Sequence, residues 1–221
     1  MTKKHTKSFT LPKALTKHQQ DLIQSICTKE MTLVTGFAGT GKSFLPAAYA
    51  AYFYAKGIVD RIVLTRPTVP VGKGLGFLPG DVNEKMEPWV APFVRVLEEF
   101  LSKGEIDCML KNLKLEVVPF DVIRGRTFDN SFIVLDEAQN TTIPEIKAFV
   151  TRIGKDSKTV INGDINQSDL KTNDKSGLAY LTYLLEDIKN EELANKVGLV
   201  HFGIDDCVRG DLCKLWLKAF E

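Results

Sequence analysis

Residues 36–43 read Gly36-Phe37-Ala38-Gly39-Thr40-Gly41-Lys42-Ser43, a complete G-x-x-x-x-G-K-[ST] phosphate-binding loop. The flanks fit this motif, because residues 31–35 predict a short buried strand and residues 44–55 predict a helix. The glycines let backbone N–H groups face phosphate oxygens, and the helix N-terminus adds partial positive charge there. The motif predicts that Lys42 binds the β- and γ-phosphates of a nucleotide and that the Ser43 hydroxyl binds Mg²⁺. The predicted nucleotide-binding residues of this segment are Gly36, Phe37, Ala38, Gly39, Thr40, Gly41, Lys42, Ser43 and Phe44.

The length and composition are those of one globular domain. The chain has 221 residues, of which 44% are hydrophobic and 26% are charged, which are ordinary values for a folded protein. Its 29 basic and 28 acidic side chains give a net charge of +1, so any surface for nucleic acid must be local. We predict a flexible basic N-terminal tail over residues 1–14, followed by a single domain over residues 15–221.

Cysteine spacing and hydropathy indicate the cellular compartment in which we expect the protein. The four cysteines show no C-x-x-C spacing, which disfavours a zinc site or a disulfide framework. The N-terminus is polar, and no apolar run approaches the length of a membrane span. We therefore expect a cytoplasmic protein that has no membrane partner.

Apolar runs of strand length alternate with helical patterns along the chain. Several runs are apolar at consecutive positions, which is typical of strands covered on both faces. The pattern predicts an α/β fold with a mainly parallel, doubly wound sheet and helices on both faces. The predicted strands are 32–35, 61–65, 115–118, 132–135, 159–162 and 198–201, and the predicted helices are 16–28, 44–56, 88–102, 144–153 and 177–189.

Three segments carry more specific local predictions. Residues 69–112 are long for one connection, so we predict a small inserted loop and helix region there, whose apolar face is core. Thr142 and Glu145 form a capping box that predicts a helix start. Pro46 removes the N–H that would bond the Lys42 carbonyl, which predicts a kink or an irregular first turn.

Two acids end a buried strand at residues 132–135. Asp136 follows this strand directly and is predicted to hold Mg²⁺, as a Walker B aspartate does. Glu137 is predicted to orient and deprotonate an attacking water, which favours a nucleoside triphosphate hydrolase over a kinase. A further strand ends in Gly163-Asp164-x-x-Gln167, where Asp164 and Gln167 are predicted to sense the γ-phosphate or the water.

Several phrases in this chain resemble known families. Asp136-Glu137-Ala138-Gln139 with Gly163-Asp164-x-x-Gln167 is similar to motifs II and III of superfamily 1 helicases. Leu15-Thr16-x-x-Gln19 is similar to their Q motif, which implies that Gln19 pairs with adenine. The whole set resembles the PhoH family more closely, through the segments 36–43, 64–67, 76–81, 124–127, 135–142, 151–154 and 163–167. This resemblance implies a RecA-like P-loop ATPase of the cytoplasm, found in bacteria and phages, that uses ATP and Mg²⁺.

The chain also departs from the family pattern. Phe37 replaces the usual proline of the loop, and Asn162 stands where a threonine normally precedes Gly-Asp. Pro46 is also unusual, and Gly210-Asp211 replaces the usual His-Pro after Arg209. None of these changes removes a predicted phosphate or metal contact.

ATP hydrolysis builds charge on the γ-phosphate that an arginine can stabilise. A superfamily 1 helicase supplies this arginine from a second domain, for which this chain is too short. We therefore expect it to come from a neighbouring subunit of a ring, which the resemblance suggests is a hexamer. Arg209 is the first candidate and Arg152 the second. Four other basic residues are predicted to contact nucleic acid from the carboxyl edge of the sheet: Arg66, Lys73, Arg124 and Arg126.

The leading functional prediction is Mg²⁺-dependent ATP hydrolysis, coupled to binding or remodelling of RNA or single-stranded nucleic acid by a ring oligomer. A P-loop kinase is the first alternative, which Glu137 and Gln167 disfavour. A nucleotide-gated binding module with little turnover is the second, which the intact acid pair disfavours.

Overall fold

The structure is a computed structural model that describes residues 9–67, 82–170 and 175–220, with the backbone alone for residues 82–90 and residue 121. Six parallel strands form one sheet, and these are β1 (Met31–Gly36), β2 (Arg61–Arg66), β3 (Leu115–Pro119), β4 (Ser131–Leu135), β5 (Lys158–Gly163) and β6 (Val197–Phe202). Their order is β3-β2-β4-β5-β1-β6. All six predicted strands are confirmed, and so is the α/β fold class.

Eight helices of the described residues connect and flank the strands. They are α1 (Lys17–Thr28), α2 (Phe44–Ala55), α3 (Val82–Phe100), α4 (Lys103–Lys111), α5 (Ile143–Val150), α6 (Gly177–Glu186), α7 (Glu191–Lys196) and α8 (Asp211–Phe220). The predicted helix at 88–102 begins earlier, at Val82, and the helix predicted to end at residue 153 ends at Val150. Three short helices, α4, α7 and α8, were not predicted.

Two hydrophobic cores cover the two faces of the sheet. Helices α1 to α4 pack on one face, where the buried side chains of Leu22, Leu45, Phe93 and Leu97 belong to a single cluster. Helices α5 and α6 pack on the other face, where Phe149 and Leu178 meet alternate residues of the strands. The strands are therefore covered on both sides, and this explains why their sequences are apolar at consecutive positions.

The predicted insertion at 69–112 lies partly outside the described residues, which resume at Val82. Its described part consists of α3 and α4, which connect β2 to β3 and pack on the first core. Phe93 and Leu97 are buried there, as the predicted core face requires. Ser102 and Glu105 form a capping box that starts α4.

Residues 1–8 of the predicted N-terminal tail lie outside the described residues. The following residues contact the domain, since the Phe9 ring stacks on Phe100 with ring centroids 5.2 Å apart. The capping box at the start of α5 is confirmed, because the Thr142 N–H donates to the Glu145 carboxylate at 2.7 Å. No helix in the described part of the chain is long and apolar enough to cross a membrane.

Candidate nucleotide-binding site

The phosphate loop joins β1 to α2 at the edge where the strands end. Gly39 and Gly41 have φ angles of 81° and 90°, which glycine adopts without the penalty that a Cβ would bring. Lys42 and Ser43 directly precede α2, and both line the cavity at the mouth of the loop. The Lys42 ammonium donates to the Phe37 carbonyl at 3.1 Å. Burial lowers the pKa of Lys42, whereas the nearby Asp164, Glu137 and Asp136 carboxylates raise it.

The predicted metal-binding pair is brought together across two elements. The Ser43 hydroxyl donates to Asp136 Oδ1 at 3.1 Å, although the two residues are 93 positions apart. Burial raises the pKa of Asp136, and the adjacent Glu137 raises it further, whereas Arg66 and the Ser43 hydrogen bond lower it. A hydroxyl and a carboxylate oxygen this close suit Mg²⁺, which prefers hard oxygen ligands. Ser43 and Asp136 therefore fit the metal that the motif predicts.

Glu137 has an unusual backbone for a non-glycine residue. Its φ of 55° and ψ of 40° lie in the left-handed region, which costs roughly 1–3 kcal/mol for a residue with a side chain. Its carboxylate accepts a 2.6 Å hydrogen bond from Gln139 Nε2 and lies 3.6 Å from the Arg66 guanidinium. Strain of this kind concentrates at functional sites, where the surrounding structure holds the residue in place. Here it turns the Glu137 side chain towards the pocket, which Glu137 lines.

Gln139 connects the two acidic segments, and sequence reasoning gave it no role. Its side chain is 2% exposed, and its Oε1 accepts from the Asp164 backbone N–H at 3.0 Å. Its Nε2 donates to Glu137 and, more weakly at 3.4 Å, to the Gln167 carbonyl. A Cβ on Gly163 would lie 2.5 Å from Gln139 Oε1, so only glycine leaves room for this contact. The sequence signal that could have indicated a role for Gln139 was its place in the pattern Asp-Glu-x-Gln.

Asp164 and Gln167 lie beside the acid pair, because β5 pairs with β4 on one side and with β1 on the other. Both residues line the pocket, and their predicted contact with the γ-phosphate or the water stays a prediction. Asp164 is 3% exposed, and its Oδ2 has no hydrogen-bond partner among the described residues. A buried acceptor without a partner is costly, which is consistent with a ligand or water completing it.

Gln19 supports the phosphate loop from α1. Its Nε2 donates to the Thr40 carbonyl at 2.9 Å, and its Oε1 accepts from the Leu15 N–H at 2.8 Å. The side chain is 4% exposed and also lines the pocket. Both ends of the amide are thus already engaged with the protein, and the predicted contact with adenine stays a prediction.

Arg209 lies against the phosphate loop of its own chain. The Val208 N–H donates to the Gly39 carbonyl at 3.0 Å, and a Cβ on Gly39 would lie 2.8 Å from Arg209 Cδ. Arg209 lines the same pocket as Lys42. Arg209 therefore lies in cis at this loop, and its predicted action on the pocket of a neighbouring subunit stays a prediction.

These residues surround one cavity of about 560 Å³, the larger of the two cavities described in the structure. Its charged floor is formed by Lys42, Asp136, Glu137 and Arg209, while its apolar wall includes Phe44, Leu45, Pro92, Phe93 and Val96. A cavity with an apolar wall and a few convergent charged groups is typical of a small-molecule site. The size and the charge distribution suit a nucleotide with its base on the apolar side.

Comparison with known proteins agrees with this geometry. A family model described as PhoH-like protein matches residues 12–221. The chain belongs to the PhoH family. It is 38% identical over 216 residues to a PhoH-like protein of Synechocystis, covering 98% of this chain and 64% of the relative. It is 40% identical over 205 residues to protein PhoH of Escherichia coli, covering 92% of this chain and 56% of the relative.

The PhoH relatives are longer than this chain. A Bacillus subtilis PhoH-like protein is 34% identical over 206 residues, which are 93% of this chain and 63% of the relative. The chain thus spans between about half and two thirds of the length of these relatives. Among solved structures, the large terminase of a thermophilic bacteriophage is similar in fold, with a TM-score of 0.54 and 12% identity over 93% of this chain and 50% of that one.

Of the four other basic residues predicted to lie at the carboxyl edge of the sheet, the structure of this PhoH family member describes Arg66, Arg124 and Arg126. Arg66 lines the nucleotide pocket beside Glu137. Arg126 pairs with Glu116 and lies over the Phe128 ring, near the edge where the strands begin. Placing Arg126 at the carboxyl edge was therefore wrong, and its ion pair explains why. Arg124 is exposed, and Lys73 lies outside the described residues.

Arg152 follows α5 in the turn that precedes β5, so it lies at the edge opposite the nucleotide pocket. Its carbonyl accepts from the Phe128 N–H at 3.0 Å, and its Nε is buried without a partner among the described residues. Arg152 is not among the residues that line the nucleotide pocket of its own chain. Its catalytic role stays a prediction.

Proposed function

We propose that this PhoH family member hydrolyses ATP with Mg²⁺. One observation carries the proposal: the Ser43 hydroxyl and the Asp136 carboxylate meet at 3.1 Å beside Lys42, with Glu137 directly adjacent in the same pocket. A phosphate loop, a metal-binding acid and a second acid for water are the parts that such a reaction needs. The fold shared with other α/β phosphate-loop proteins adds no substrate information, so the argument rests on the site.

Each side chain has a distinct task in this mechanism. Ser43 and Asp136 would hold Mg²⁺, which would supply charge neutralisation to the bound phosphates. Lys42 binds the same phosphates through its ammonium group. Glu137 orients the attacking water and accepts its proton, while Gln139 fixes the Glu137 carboxylate by the 2.6 Å hydrogen bond.

Arg209 serves as the cation that stabilises charge developing on the transferred phosphoryl group. Its position against Gly39 brings it to the loop without a partner subunit. An arginine in this role contributes about 10³–10⁵ in rate in related phosphoryl-transfer enzymes. In this proposal each subunit contains its own catalytic arginine, and a ring is not needed to supply one.

The nucleic-acid substrate and the ring assembly are further parts of the proposal. We infer that ATP hydrolysis is coupled to RNA or single-stranded nucleic acid in a homo-oligomeric ring, because of the likeness to helicase motifs II and III. Exposed Arg124 is the remaining described candidate for phosphate contact among the four predicted. Arg152, at the opposite edge, is the candidate for contact with a neighbouring copy.

Phosphate release from ATP tests the central proposal. The assay uses the wild-type chain with and without Mg²⁺, and without any acceptor substrate. Steady release that requires Mg²⁺ supports an ATPase. Release that begins only when a hydroxyl acceptor is added would support a kinase, and binding of ATP without release would support a nucleotide-gated module. Absence of Mg·ATP binding in calorimetry would overturn the proposal.

Two additions to that assay test the finer claims. RNA and single-stranded DNA are added separately, and faster release with either identifies the coupled substrate. Solution mass is measured with and without nucleotide, and a monomer under both conditions would contradict the ring.

A further inference from the structure

The first turn of α2 lacks one hydrogen bond. The Leu45 N–H donates to the Gly41 carbonyl at 3.0 Å, and the Ala47 N–H donates to the Ser43 carbonyl at 3.3 Å. The position between these donors is Pro46, which has no N–H. The carbonyl that loses its helical partner is therefore that of Lys42, the phosphate-binding lysine.

A side chain from another element replaces the missing donor. Asn162, in β5, donates from Nδ2 to the Lys42 carbonyl at 3.1 Å. Its side chain is 0% exposed, and it lies next to β1, where its register partner is Val34. The donor is thus held by the centre of the sheet, 120 residues away in sequence from the carbonyl that it bonds.

The other end of this amide makes no such bond. Asn162 Oδ1 is buried and has no hydrogen-bond partner among the described residues. Burying an amide whose acceptor is unsatisfied is costly. The benefit of an asparagine at this position must therefore come from its donor end, and the described contact of that end is the hydrogen bond to the Lys42 carbonyl.

We propose that Asn162 is a positioning residue of the phosphate loop, which replaces the helical hydrogen bond that Pro46 removes. This bond makes Asn162 and Pro46 one coupled feature. The bond fixes the backbone at Lys42, whose side chain and that of Ser43 bind phosphate and Mg²⁺ in the proposed function on which this inference rests. The pair lets the loop keep its geometry with a proline inside α2.

A double-mutant cycle tests the coupling, with Asn162→Thr, Pro46→Ala and the double variant compared with wild type. The threonine hydroxyl is one bond shorter than the asparagine amide, so Asn162→Thr leaves the Lys42 carbonyl without its donor. We expect about tenfold weaker Mg·ATP binding. Pro46→Ala restores a backbone N–H opposite this carbonyl, so the double variant should bind within about twofold of wild type.

A matched control separates this effect from a general loss of an asparagine. Asn112 also donates from Nδ2 to a helix carbonyl, that of Cys108, at 2.8 Å and far from the phosphate loop. Asn112→Thr should leave Mg·ATP affinity unchanged. Binding is measured by calorimetry and kcat/KM by phosphate release, because a merely structural defect would not be rescued in both by Pro46→Ala.

The outcomes are decisive in each direction. Rescue of Asn162→Thr by Pro46→Ala supports the proposal, and equal losses in the single and double variants overturn it. If Asn162→Thr does not fold, the double variant carries the test through its affinity relative to Pro46→Ala alone. The same cycle in thermal unfolding without nucleotide detects the bond even if wild type hydrolyses no ATP, which separates failure of this inference from failure of the proposed function.

Discussion

Glu116 and Glu137 are two acids held in opposite ways at opposite edges of the sheet. Glu116, near the start of β3, has one oxygen 3.0 Å from Arg61 and the other paired with Arg126, and its side chain is 10% exposed. Glu137, after the end of β4, is 34% exposed and 3.6 Å from its arginine. The first acid is saturated by cations, whereas the second keeps room for water.

The comparison shows that charged groups stabilise the fold at one edge of the sheet and remain available for a ligand at the other. At the amino edge, the arginine pairs join β2, β3 and the segment before β4, so they stabilise the fold. At the carboxyl edge, the chain retains backbone strain at Glu137 and an Asp164 Oδ2 that has no partner among the described residues. Such costs persist where function requires them. The same residue type should therefore give opposite effects when it is changed at the two edges.

The largest effect is expected for Glu137→Gln. The amide keeps the size of the side chain but cannot accept the proton of the attacking water, so kcat should fall by about 10²–10⁴. ATP affinity should stay within about threefold, because Lys42 and Ser43 are unchanged. Phosphate release and calorimetry measure the two quantities. Turnover that survives this change would remove Glu137 from the mechanism.

Arg209→Ala is expected to lower kcat by about 10³ while ATP binding persists. Mixing the Arg209→Ala protein with the Lys42→Ala protein tests whether Arg209 acts in its own subunit, because each variant lacks a different residue of the same site. If Arg209 acts in its own subunit, mixed samples regain no activity. Recovery of activity on mixing would show that the arginine crosses between subunits, contrary to the described position.

A smaller loss is expected when the link between the acidic segments is removed. Gln139→Met keeps the volume but deletes the hydrogen bonds to Glu137 and Asp164, which should lower kcat by about 10- to 100-fold through misplaced groups. Gln20→Met, at an exposed position of α1, is the matched control. Equal kcat values for the two variants would contradict a positioning role for Gln139.

The smallest effect on activity is expected at the amino edge. Glu116→Gln leaves Arg61 and Arg126 without their shared carboxylate, which should cost about 1–3 kcal/mol of unfolding free energy. Urea unfolding measures this loss. kcat and ATP affinity should match wild type, since the change lies away from the pocket. A large loss of kcat in a fully folded sample would contradict the claim that Glu116 stabilises the fold without taking part in catalysis.

Most of the fold could be predicted because its signals are local. Consecutive apolar residues in the six strands, such as residues 132–135, indicate burial on both faces and therefore a parallel sheet. The short helices were missed for lack of a long apolar period. The capping box of Ser102 and Glu105 was a sequence signal that could have indicated the start of α4. No such signal was available for α8, whose large apolar side chains, such as Trp216, are largely exposed.

The site divides in the same way. The phosphate loop, Asp136 and Glu137 could be found from spacing, because their chemistry depends on adjacent residues. The contacts from Gln139 to Asp164, from Gln19 to Thr40 and from Asn162 to Lys42 join segments that only the folded sheet brings together. Arg209 was predicted to act on a neighbouring subunit, and its position against Gly39 of its own chain depends on the turn that follows β6, which no sequence pattern indicated.

The place of β5 between β1 and β4 also governs when the pocket can form during synthesis. The loop of residues 36–43 and the acids at 136 and 137 emerge from the ribosome early, yet the strand that separates and aligns them comes later. Until β5 has been synthesised up to residue 163, β1 and β4 have no strand between them to pair with both. A nascent chain arrested before that residue should fail to retain ATP, and one released beyond Arg209 should succeed.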